Sequence, residues 1–503
     1  MKISVLTYRD SSWPSLREII PALERAWRLC GARYSHRIDF IATRKNSGWE
    51  AARQVLRADA IGVLFATPAI SKLLYGLRRA GIRVPAVIHT HGEGTAGAAR
   101  FGLLAGAFTR QDSFLCASRA EAACLRACLP GALVRVAPFP MGDEPHAPEQ
   151  APKAMNRSFA DAPPPLFYIG RISEQKNLHA LLFSLRLLQE RRPELPWRLE
   201  VYGAPDRCGN PNMGFRFNDY LGYLHGLSER LGLAKNILWR GWRTSSSIEE
   251  IAARRRHVFV SASLHSDEDF GVAAFKSLVC GRRAVLSDWG GHRDFKMNFP
   301  GQVLTARAYR SSAGPFIAAG ELSRALNKAL TEMAAPQKTK PRPKYGTPAY
   351  ASAIEDCLRG LDSRAPRALR PSRLAERVLN RTGCLQETSN GRFFARMPGD
   401  FYPPRVFEGY ADAAAEPFFR RYGARQDYPT NSVKRAQNFV LAPWVRILKS
   451  KILILDPRRG AFSIPRSAKT SRAADVRTIE GEKERLGTEE AARLIESGWL
   501  CRV

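Results

Sequence analysis

The side chains best suited to chemistry include two cations on one short segment. Residues Phe167–Asn177 (FYIGRISEQKN) are typical of a buried strand, a Gly170-Arg171 turn and a loop that contains Lys176. A departing diphosphate develops about two negative charges, which a guanidinium and an ammonium can neutralise together. The segment therefore predicts a diphosphate site, and two solvated charges on a surface loop are the alternative.

An acidic loop ahead of a helix forms a second candidate segment, His265–Gly281 (HSDEDFGVAAFKSLVCG). Its Glu268 offers carboxylate oxygens to sugar hydroxyls. Gly271 allows a ligand to approach the backbone closely, and the first N–H groups of a helix bind phosphate oxygens. Loops that leave the carboxyl edge of one sheet meet there, so the two segments are expected to hold the two ends of one ligand.

Taken together, the segments resemble the retaining glycosyltransferases of family 4, which have the two-domain GT-B fold. The resemblance implies that Arg171 and Lys176 stabilise the leaving phosphate. It also implies that Glu268 contacts the donor sugar as the first acidic residue of an E-x7-E pattern. Further residues that the resemblance places at the nucleotide-sugar site are Gly170, Phe270, Gly271 and Val272.

The sequence departs from that pattern at one position. Eight residues after Glu268, where the family usually has a second glutamate that binds the ribose hydroxyls, the chain has Lys276. An ammonium only donates hydrogen bonds and cannot accept those hydroxyl protons. Three alternatives follow: another acceptor holds the ribose, the donor is unusual, or donor binding has been lost.

Two further stretches match the family. Asp288–Asp294 (DWGGHRD) resembles its glycine-pair loop, so Gly290, Gly291 and Asp294 are expected at the nucleotide, with a plain turn as the alternative. His91 resembles the family's histidine, which implies a hydrogen bond to a sugar hydroxyl or a role in positioning the acceptor. The alternative is a packing histidine.

Strands and helices alternate along most of the chain, which predicts an α/β fold with two Rossmann-like doubly wound domains and a cleft between them. The expected organisation is an acceptor-side domain over 1–145, a Pro-rich hinge over 146–165 and a donor-binding domain over 166–335. A basic connection and a helix that crosses back onto the first domain occupy 336–364. An extension over 365–503 is expected to be mainly helical, with Thr488–Gly498 as one amphipathic helix.

The net charge of +31 and the pI of about 10.3 indicate that the positive charge either binds an anionic partner or keeps the protein in solution. An anionic membrane surface that presents the acceptor, general solvation and nucleic acid are the alternatives, and no nucleic-acid-binding signature is found. Nine scattered cysteines without a CxxC pair indicate core thiols in a reducing compartment. No long apolar run or secretory leader is apparent, so a cytoplasmic protein is expected, and peripheral attachment at the inner face of the membrane is the alternative.

The resemblance implies a hexosyltransferase-type enzyme that moves a sugar, with retention, from a nucleotide diphosphate to a glycan or lipid-linked cell-envelope acceptor. No DxD motif stands where it could chelate a diphosphate, so we expect no metal and no cofactor beyond the nucleotide-sugar substrate. A non-catalytic GT-B scaffold with an impaired donor site is the alternative, and a nucleic-acid-binding protein is a weaker one.

Overall fold

The computed structural model describes the core of the chain and a set of short C-terminal strands. The described residues are 1–7, 14–42, 48–66, 68–91, 108–143, 165–206, 219–244, 257–264, 268–311, 314–332, 343–361, 368–370, 372, 413–414, 439–441, 445–447, 451–454, 463–465, 473–477, 483–487 and 500–502. The predicted hinge over 146–165 lies outside them except for residue 165, and the predicted helix over 488–498 lies wholly outside them.

A six-stranded parallel sheet occupies the first part of the chain. Its strands are β1 (Lys2–Thr7), β2 (Arg37–Ala42), β3 (Ala60–Val63), β4 (Ala86–His89), β5 (Ser113–Cys116) and β6 (Leu133–Val136). They lie in the order β2-β1-β3-β4-β5-β6. The direction of winding reverses between β1 and β3, and crevices for ligands form at such points in doubly wound sheets.

Among the described residues, four helices connect these strands. They are α1 (Pro14–Tyr34), α2 (Gly48–Val55), α3 (Pro68–Arg79) and α4 (Arg119–Cys128). At the start of α4, the hydroxyl of Ser118 accepts from the N–H of Glu121, and the Glu121 carboxylate accepts from the N–H of Ala117. This reciprocal capping explains why the helix begins where the sequence predicts it.

A second sheet contains the next seven strands. They are β7 (Pro165–Ile169), β8 (Arg198–Tyr202), β9 (Ile237–Gly241), β10 (Val258–Ser261), β11 (Arg283–Asp288), β12 (Val303–Ser311) and β13 (Gly314–Ile317). Their order is β13-β12-β11-β10-β7-β8-β9, and all neighbours are parallel except β12 and β13. The winding reverses between β7 and β10. The hairpin β12–β13 was not predicted from the sequence.

The helices of the second unit are α5 (Leu178–Arg191), α6 (Tyr220–Arg230), α7 (Val272–Val279), α8 (His292–Asn298) and α9 (Ala319–Thr331). Short 3₁₀ helices lie at Glu174–Lys176, Ala234–Asn236 and Pro343–Tyr345. Two parallel doubly wound α/β sheets confirm the predicted fold class.

The predicted crossing helix is α10 (Thr347–Arg359), and it packs along α1 of the first unit. The Tyr350 hydroxyl lies 2.8 Å from Nδ1 of His89, whose Nε2 accepts from the indole N–H of Trp27 at 2.8 Å. Both Tyr350 and Trp27 are almost fully buried. The C-terminal segment therefore contributes to the core of the first unit.

Aromatic side chains also join the two units. Phe139, which follows β6, lies 5.4 Å from Phe270 between ring centroids, and Phe270 lies 6.1 Å from Tyr345. All three are buried in one apolar cluster with residues of both sheets. Edge-to-face and tilted aromatic pairs of this kind favour a defined packing of the two units.

Every element described in the C-terminal extension is a strand. These are β14 (Ala413–Ala414), β15 (Phe439–Leu441), β16 (Val445–Ile447), β17 (Lys451–Ile454), β18 (Ser463–Pro465), β19 (Ala473–Arg477), β20 (Lys483–Gly487) and β21 (Leu500–Arg502). The expectation of a mainly helical extension is wrong for these residues. The apolar run near 440–455 is rich in valine and isoleucine, which favour strands over helices.

None of the helices that the structure describes is long and apolar enough to cross a membrane. The predicted core thiols are present, since Cys30, Cys116, Cys124, Cys128 and Cys357 are buried without disulfide bonds.

Candidate functional site

Three polar side chains meet at the point where the second sheet reverses its winding. Lys176 follows β7, while Ser263 and Glu268 follow β10, and β7 and β10 are neighbours in the sheet. The two segments singled out in the sequence therefore do come together at one carboxyl edge. Ligands of doubly wound folds bind at this kind of position.

Glu268 is the centre of this group and is only 7% exposed. Its Oε2 accepts from Nζ of Lys176 at 2.7 Å and from the hydroxyl of Ser263 at 2.5 Å. A buried carboxylate needs such partners, because desolvation disfavours its charge. Lys176 and Glu268 thus form a preorganised ion pair, and Ser263 completes it.

His292 extends the group on its other side and was not predicted as a site residue. Its Nε2 lies 3.7 Å from Oε1 of Glu268. The Ser287 hydroxyl donates to the carbonyl of Ser263 at 2.6 Å and lies 3.0 Å from Nδ1 of His292. Ser287 can therefore accept from an Nδ1–H, which leaves the lone pair of His292 on Nε2, towards Glu268.

Burial lowers the pKa of His292, and Lys176 lowers it further, while Glu268 acts in the opposite direction. The imidazole is therefore neutral near pH 7. It can accept one hydrogen bond beside a carboxylate and an ammonium. A signal for this residue was present in the sequence, since it directly follows the glycine pair at the end of a predicted strand.

The glycines near this group are needed for close packing. A Cβ on Gly291 would lie 2.2 Å from the carbonyl oxygen of Asp269, and the N–H of Gly291 donates to the carbonyl of Glu268 at 2.6 Å. Gly271 has φ 86°, and a Cβ there would lie 2.9 Å from the ring of His292. The glycines let the Glu268 loop and the start of α8 pack backbone to backbone.

Arg171 points to a different neighbour from Lys176. Its guanidinium donates to Oδ2 of Asp206 at 2.5 Å, and Asp206 follows β8 on the opposite side of β7 from Glu268. The two predicted cations therefore straddle β7, and each has a carboxylate partner. The sequence predicted a pair of positive charges, whereas the structure shows two ion pairs at this edge.

Lys276 lies on α7 and reaches across to the first unit. Its Nζ is 2.6 Å from Oε2 of Glu18, which is on α1. Asp294, on α8, also contacts the first unit, since its Oδ2 accepts from the backbone N–H of Arg119 at 3.0 Å. Helices that follow the carboxyl ends of both sheets are thus in direct contact.

His91 lies at the carboxyl end of β4 in the first sheet. Its Nε2 donates to the carbonyl of Leu64 at 2.7 Å, and its ring stacks on Phe139 at 5.0 Å between centroids. Burial lowers the pKa of His91 to about 4. Nδ1 of His91 has no hydrogen-bond partner among the described residues, so the neutral ring keeps an unused acceptor.

The remaining predicted residues have backbone or packing positions. Phe270 is buried among Phe139, Phe275 and Phe295, so its side chain belongs to the core. Val272 opens α7 and is half-buried. Gly170 donates its N–H to the carbonyl of Tyr202 at 3.0 Å, and its own carbonyl lies where a Cβ on Gly203 would clash. Gly290 adopts φ 56°.

The segment that contains the site is similar to a known protein family. Residues 153–309 match the family model of glycosyl transferases group 1. The matched segment contains all the residues of the group around Glu268, together with Arg171 and Lys276. His91 and Glu18 lie outside it.

Several solved structures align with this chain over most of their length. The apo form of the lipopolysaccharide outer core galactosyltransferase WaaB has 13% identity and a TM-score of 0.49, over 71% of this chain and 99% of that one. Sucrose-phosphate synthase from Thermosynechococcus elongatus has 14% identity and a TM-score of 0.46, over 72% and 98%. A UDP-forming trehalose-phosphate synthase from Burkholderia xenovorans has 13% identity and a TM-score of 0.49, over 72% and 99%. Among curated proteins, no sequence matches the chain.

Proposed function

We propose that the protein is a retaining glycosyltransferase that uses a nucleotide-diphosphate sugar. The observation that supports this most directly is the Lys176–Glu268–Ser263 group at the winding reversal of a sheet whose segment matches glycosyl transferases group 1. Glu268 would accept hydrogen bonds from the donor sugar. Lys176 and Arg171 would stabilise the leaving diphosphate, so that the reaction needs no metal ion.

In the proposed reaction the bond between the anomeric carbon and the diphosphate oxygen breaks. A bond forms from the acceptor hydroxyl oxygen to the same carbon on the same face, and the hydroxyl proton passes to the departing phosphate. No nucleophile on the protein is required, so positioning and electrostatic stabilisation account for the rate. Lys176 is already oriented by Glu268, which reduces the reorganisation needed when the charge develops.

The first unit would supply the acceptor side. His91 has an unused Nδ1 acceptor and a lowered pKa, so it can accept a hydrogen bond from a sugar hydroxyl near pH 7. A glycan or lipid-linked acceptor at an anionic membrane surface agrees with the net charge of +31. Sedimentation with vesicles of phosphatidylglycerol at physiological salt tests this part; no binding would refute it.

Isothermal titration calorimetry with UDP, GDP, ADP and CDP tests the donor assignment. We expect one of them to bind the wild type, and we expect Lys176→Met to weaken that binding. Absence of measurable affinity for any of the four would favour the alternative of a non-catalytic scaffold. Retention of DNA or RNA at physiological salt would favour a nucleic-acid-binding protein instead.

A panel of nucleotide sugars with the tightest-binding base then identifies the transferred hexose. Nuclear magnetic resonance of the anomeric proton in the product distinguishes retention from inversion. An inverted product would contradict the proposed mechanism while leaving the glycosyltransferase assignment intact.

A further inference from the structure

A second group of chemically capable side chains lies where α10 packs on the end of α1. Cys30 is in the last turns of α1, His36 follows that helix, and Glu355 is on α10. Each offers one atom able to bind a metal ion, and the three atoms lie within 4.8 Å of one another. Cys30 is fully buried, Glu355 is 6% exposed, and the His36 side chain is 11% exposed.

The backbone at the end of α1 brings His36 into this group. Ser35 adopts a left-handed conformation with φ 58°, and the N–H of His36 donates to the carbonyl of Gly31 at 3.0 Å. A Cβ on Gly31 would lie 2.9 Å from the carbonyl oxygen of His36, so the chain folds back tightly over the last turn. A non-glycine residue rarely adopts this conformation without support from its surroundings.

The carboxylate of Glu355 is held from two sides. Its Oε2 lies 2.7 Å from Nε2 of His36, and its Oε1 accepts from Nε of Arg359 at 2.7 Å. The guanidinium therefore fixes one oxygen and leaves the other directed at the group. In protein metal sites, side chains that donate hydrogen bonds to a metal ligand, as Arg359 does to Glu355, orient that ligand.

One polar atom in the group is left without a hydrogen bond. Nδ1 of His36 is buried and has no partner among the described residues. The nitrogen that faces Glu355 is Nε2, so a cation that binds the imidazole and the carboxylate together takes the place of the Nε2 proton.

We infer that Cys30, His36 and Glu355 form a zinc site that joins the crossing helix to the first unit. Thiolate, imidazole and carboxylate are the ligands that Zn²⁺ takes, at about 2.0–2.3 Å, with tetrahedral geometry. Ligand atoms in such a site lie roughly 3.3–3.8 Å apart, so small side-chain shifts suffice here. A water molecule takes the fourth position.

The charges of the site balance. When Zn²⁺ binds, Cys30 loses its thiol proton and becomes a thiolate, and Glu355 is a carboxylate. The two negative charges match those of the cation, so the buried group is neutral overall.

The ligands come from different parts of the chain, and this gives the site a structural role. Cys30 and His36 belong to the first unit, whereas Glu355 belongs to the segment that returns from the second unit. A metal bound by all three would stabilise α10 on α1. The site is separate from the group around Glu268, so the inference does not depend on the proposed transfer reaction.

Zinc binding to the full-length protein tests the inference. Competition with a chromophoric zinc chelator, after exhaustive dialysis against a stronger chelator, gives stoichiometry and affinity. We expect one tight Zn²⁺ per chain in the wild type. Cys30→Ser and His36→Gln should each bind roughly 100-fold more weakly. Cys280→Ser, which changes a half-buried cysteine outside the group, is the matched control and should bind like the wild type.

Cobalt substitution provides a readout that does not depend on the stability of the variants. Co²⁺ bound to the wild type should show a near-ultraviolet thiolate-to-cobalt absorption band, which Cys30→Ser should lack and Cys280→Ser should retain. Glu355→Gln keeps the thiol and should shift the band by changing the ligand set. A wild type that binds no stoichiometric Zn²⁺, or a Cys30→Ser variant with an unchanged cobalt band, would overturn the inference.

Discussion

The ammonium of Lys276 lies 2.6 Å from the carboxylate of Glu18, and this ion pair connects a helix of the second unit with a helix of the first. The side chains are 14% and 28% exposed, so solvent screens the pair only in part. In this structure the lysine that departs from the family pattern thus has a carboxylate partner on the opposite unit. A glutamate at position 276 would therefore face the carboxylate of Glu18, which the sequence alone does not show.

Lys276→Glu by itself should destabilise the protein, since it places a second carboxylate against Glu18. A double-mutant cycle with Glu18→Gln should give a coupling of about 1 kcal/mol between the two side chains. Urea denaturation of the wild type, both single variants and the double variant measures this value. Additive effects of the two substitutions would show that the contact contributes nothing.

Nucleotide affinity should rise only in the double variant. Glu18→Gln/Lys276→Glu restores an acceptor at position 276 without a facing charge, so we expect tighter binding of the preferred nucleoside diphosphate than in the wild type. Calorimetry with the nucleoside diphosphate on the wild type, both single variants and the double variant measures these affinities. Equal affinities throughout would place the ribose away from Lys276.

Lys176→Met should reduce turnover by about 10²–10³ if the ammonium stabilises the departing phosphate. The substitution also leaves Glu268 buried without its cation, so stability must be measured in parallel. Lys176→Met/Glu268→Gln removes the unpaired charge, so the stability of this double variant, and not its turnover, shows how much of the destabilisation comes from the buried carboxylate. Lys235→Met, at an exposed lysine in the same unit, is the control. Wild-type turnover in Lys176→Met would refute the role of Lys176.

Arg171→Ala should lower the affinity for the nucleoside diphosphate and the rate of transfer. Because Arg171 is paired with Asp206, the structure offers a second variant, Asp206→Asn, which releases the guanidinium while keeping its charge. We expect Asp206→Asn to retain nucleotide binding. Steady-state kinetics with the nucleotide sugar that the panel identifies compares both variants with the wild type. Unchanged kinetics in Arg171→Ala would show that this residue does not belong to the site.

Gly291→Ala should destabilise the protein by about 1–3 kcal/mol, since the new Cβ would lie 2.2 Å from a backbone oxygen. The backbone of Gly291 is helical, with φ −65°, so the cost arises from packing alone. Gly76→Ala is a matched control, because a Cβ there meets no atom within 4 Å. It lies inside α3 and should be neutral or stabilising by up to about 1 kcal/mol. Equal stabilities of the two variants would contradict the tight packing of the Glu268 loop.

The free energy of unfolding should fall as the pH is lowered from about 6.5 towards 4. Burial lowers the pKa of His179 to about 3 and that of His89 to about 3, compared with 6.5 in the unfolded chain. The unfolded state therefore binds more protons in this window, and each buried histidine contributes a slope of up to about 1.4 kcal/mol per pH unit. From about pH 7.5 upwards these residues cause almost no pH dependence, because they are then neutral in both states.

Urea denaturation between pH 5 and 6.5 isolates the histidine contribution, because most carboxylates remain ionised there. His179→Asn keeps a hydrogen-bonding group near the hydroxyl of Tyr220 and should reduce the slope. His225→Asn changes an exposed histidine and should leave it unaltered. A slope that is the same in all three proteins would show that His179 does not titrate on unfolding.

Local sequence patterns were sufficient for most strands and helices of the two sheets. Buried β-branched runs such as Val258–Ser261 and the capped helix after Ser118 depend on interactions within a few residues, which the sequence displays directly. Short or polar elements were missed, including α8 and the β12–β13 hairpin. Their stability arises from packing against distant residues, such as the contact between Gly291 and Asp269.

The sequence by itself determined the two α/β units and the positions of Arg171, Lys176 and Glu268 at the ends of strands, because strand and helix periodicity is local. Only the tertiary structure decided their partners. It paired Arg171 with Asp206, Lys176 with Glu268 and Lys276 with Glu18, and it brought Cys30 next to Glu355. Such partners are set by the order of strands and by the return of α10 onto α1, since these bring together residues that are far apart along the chain.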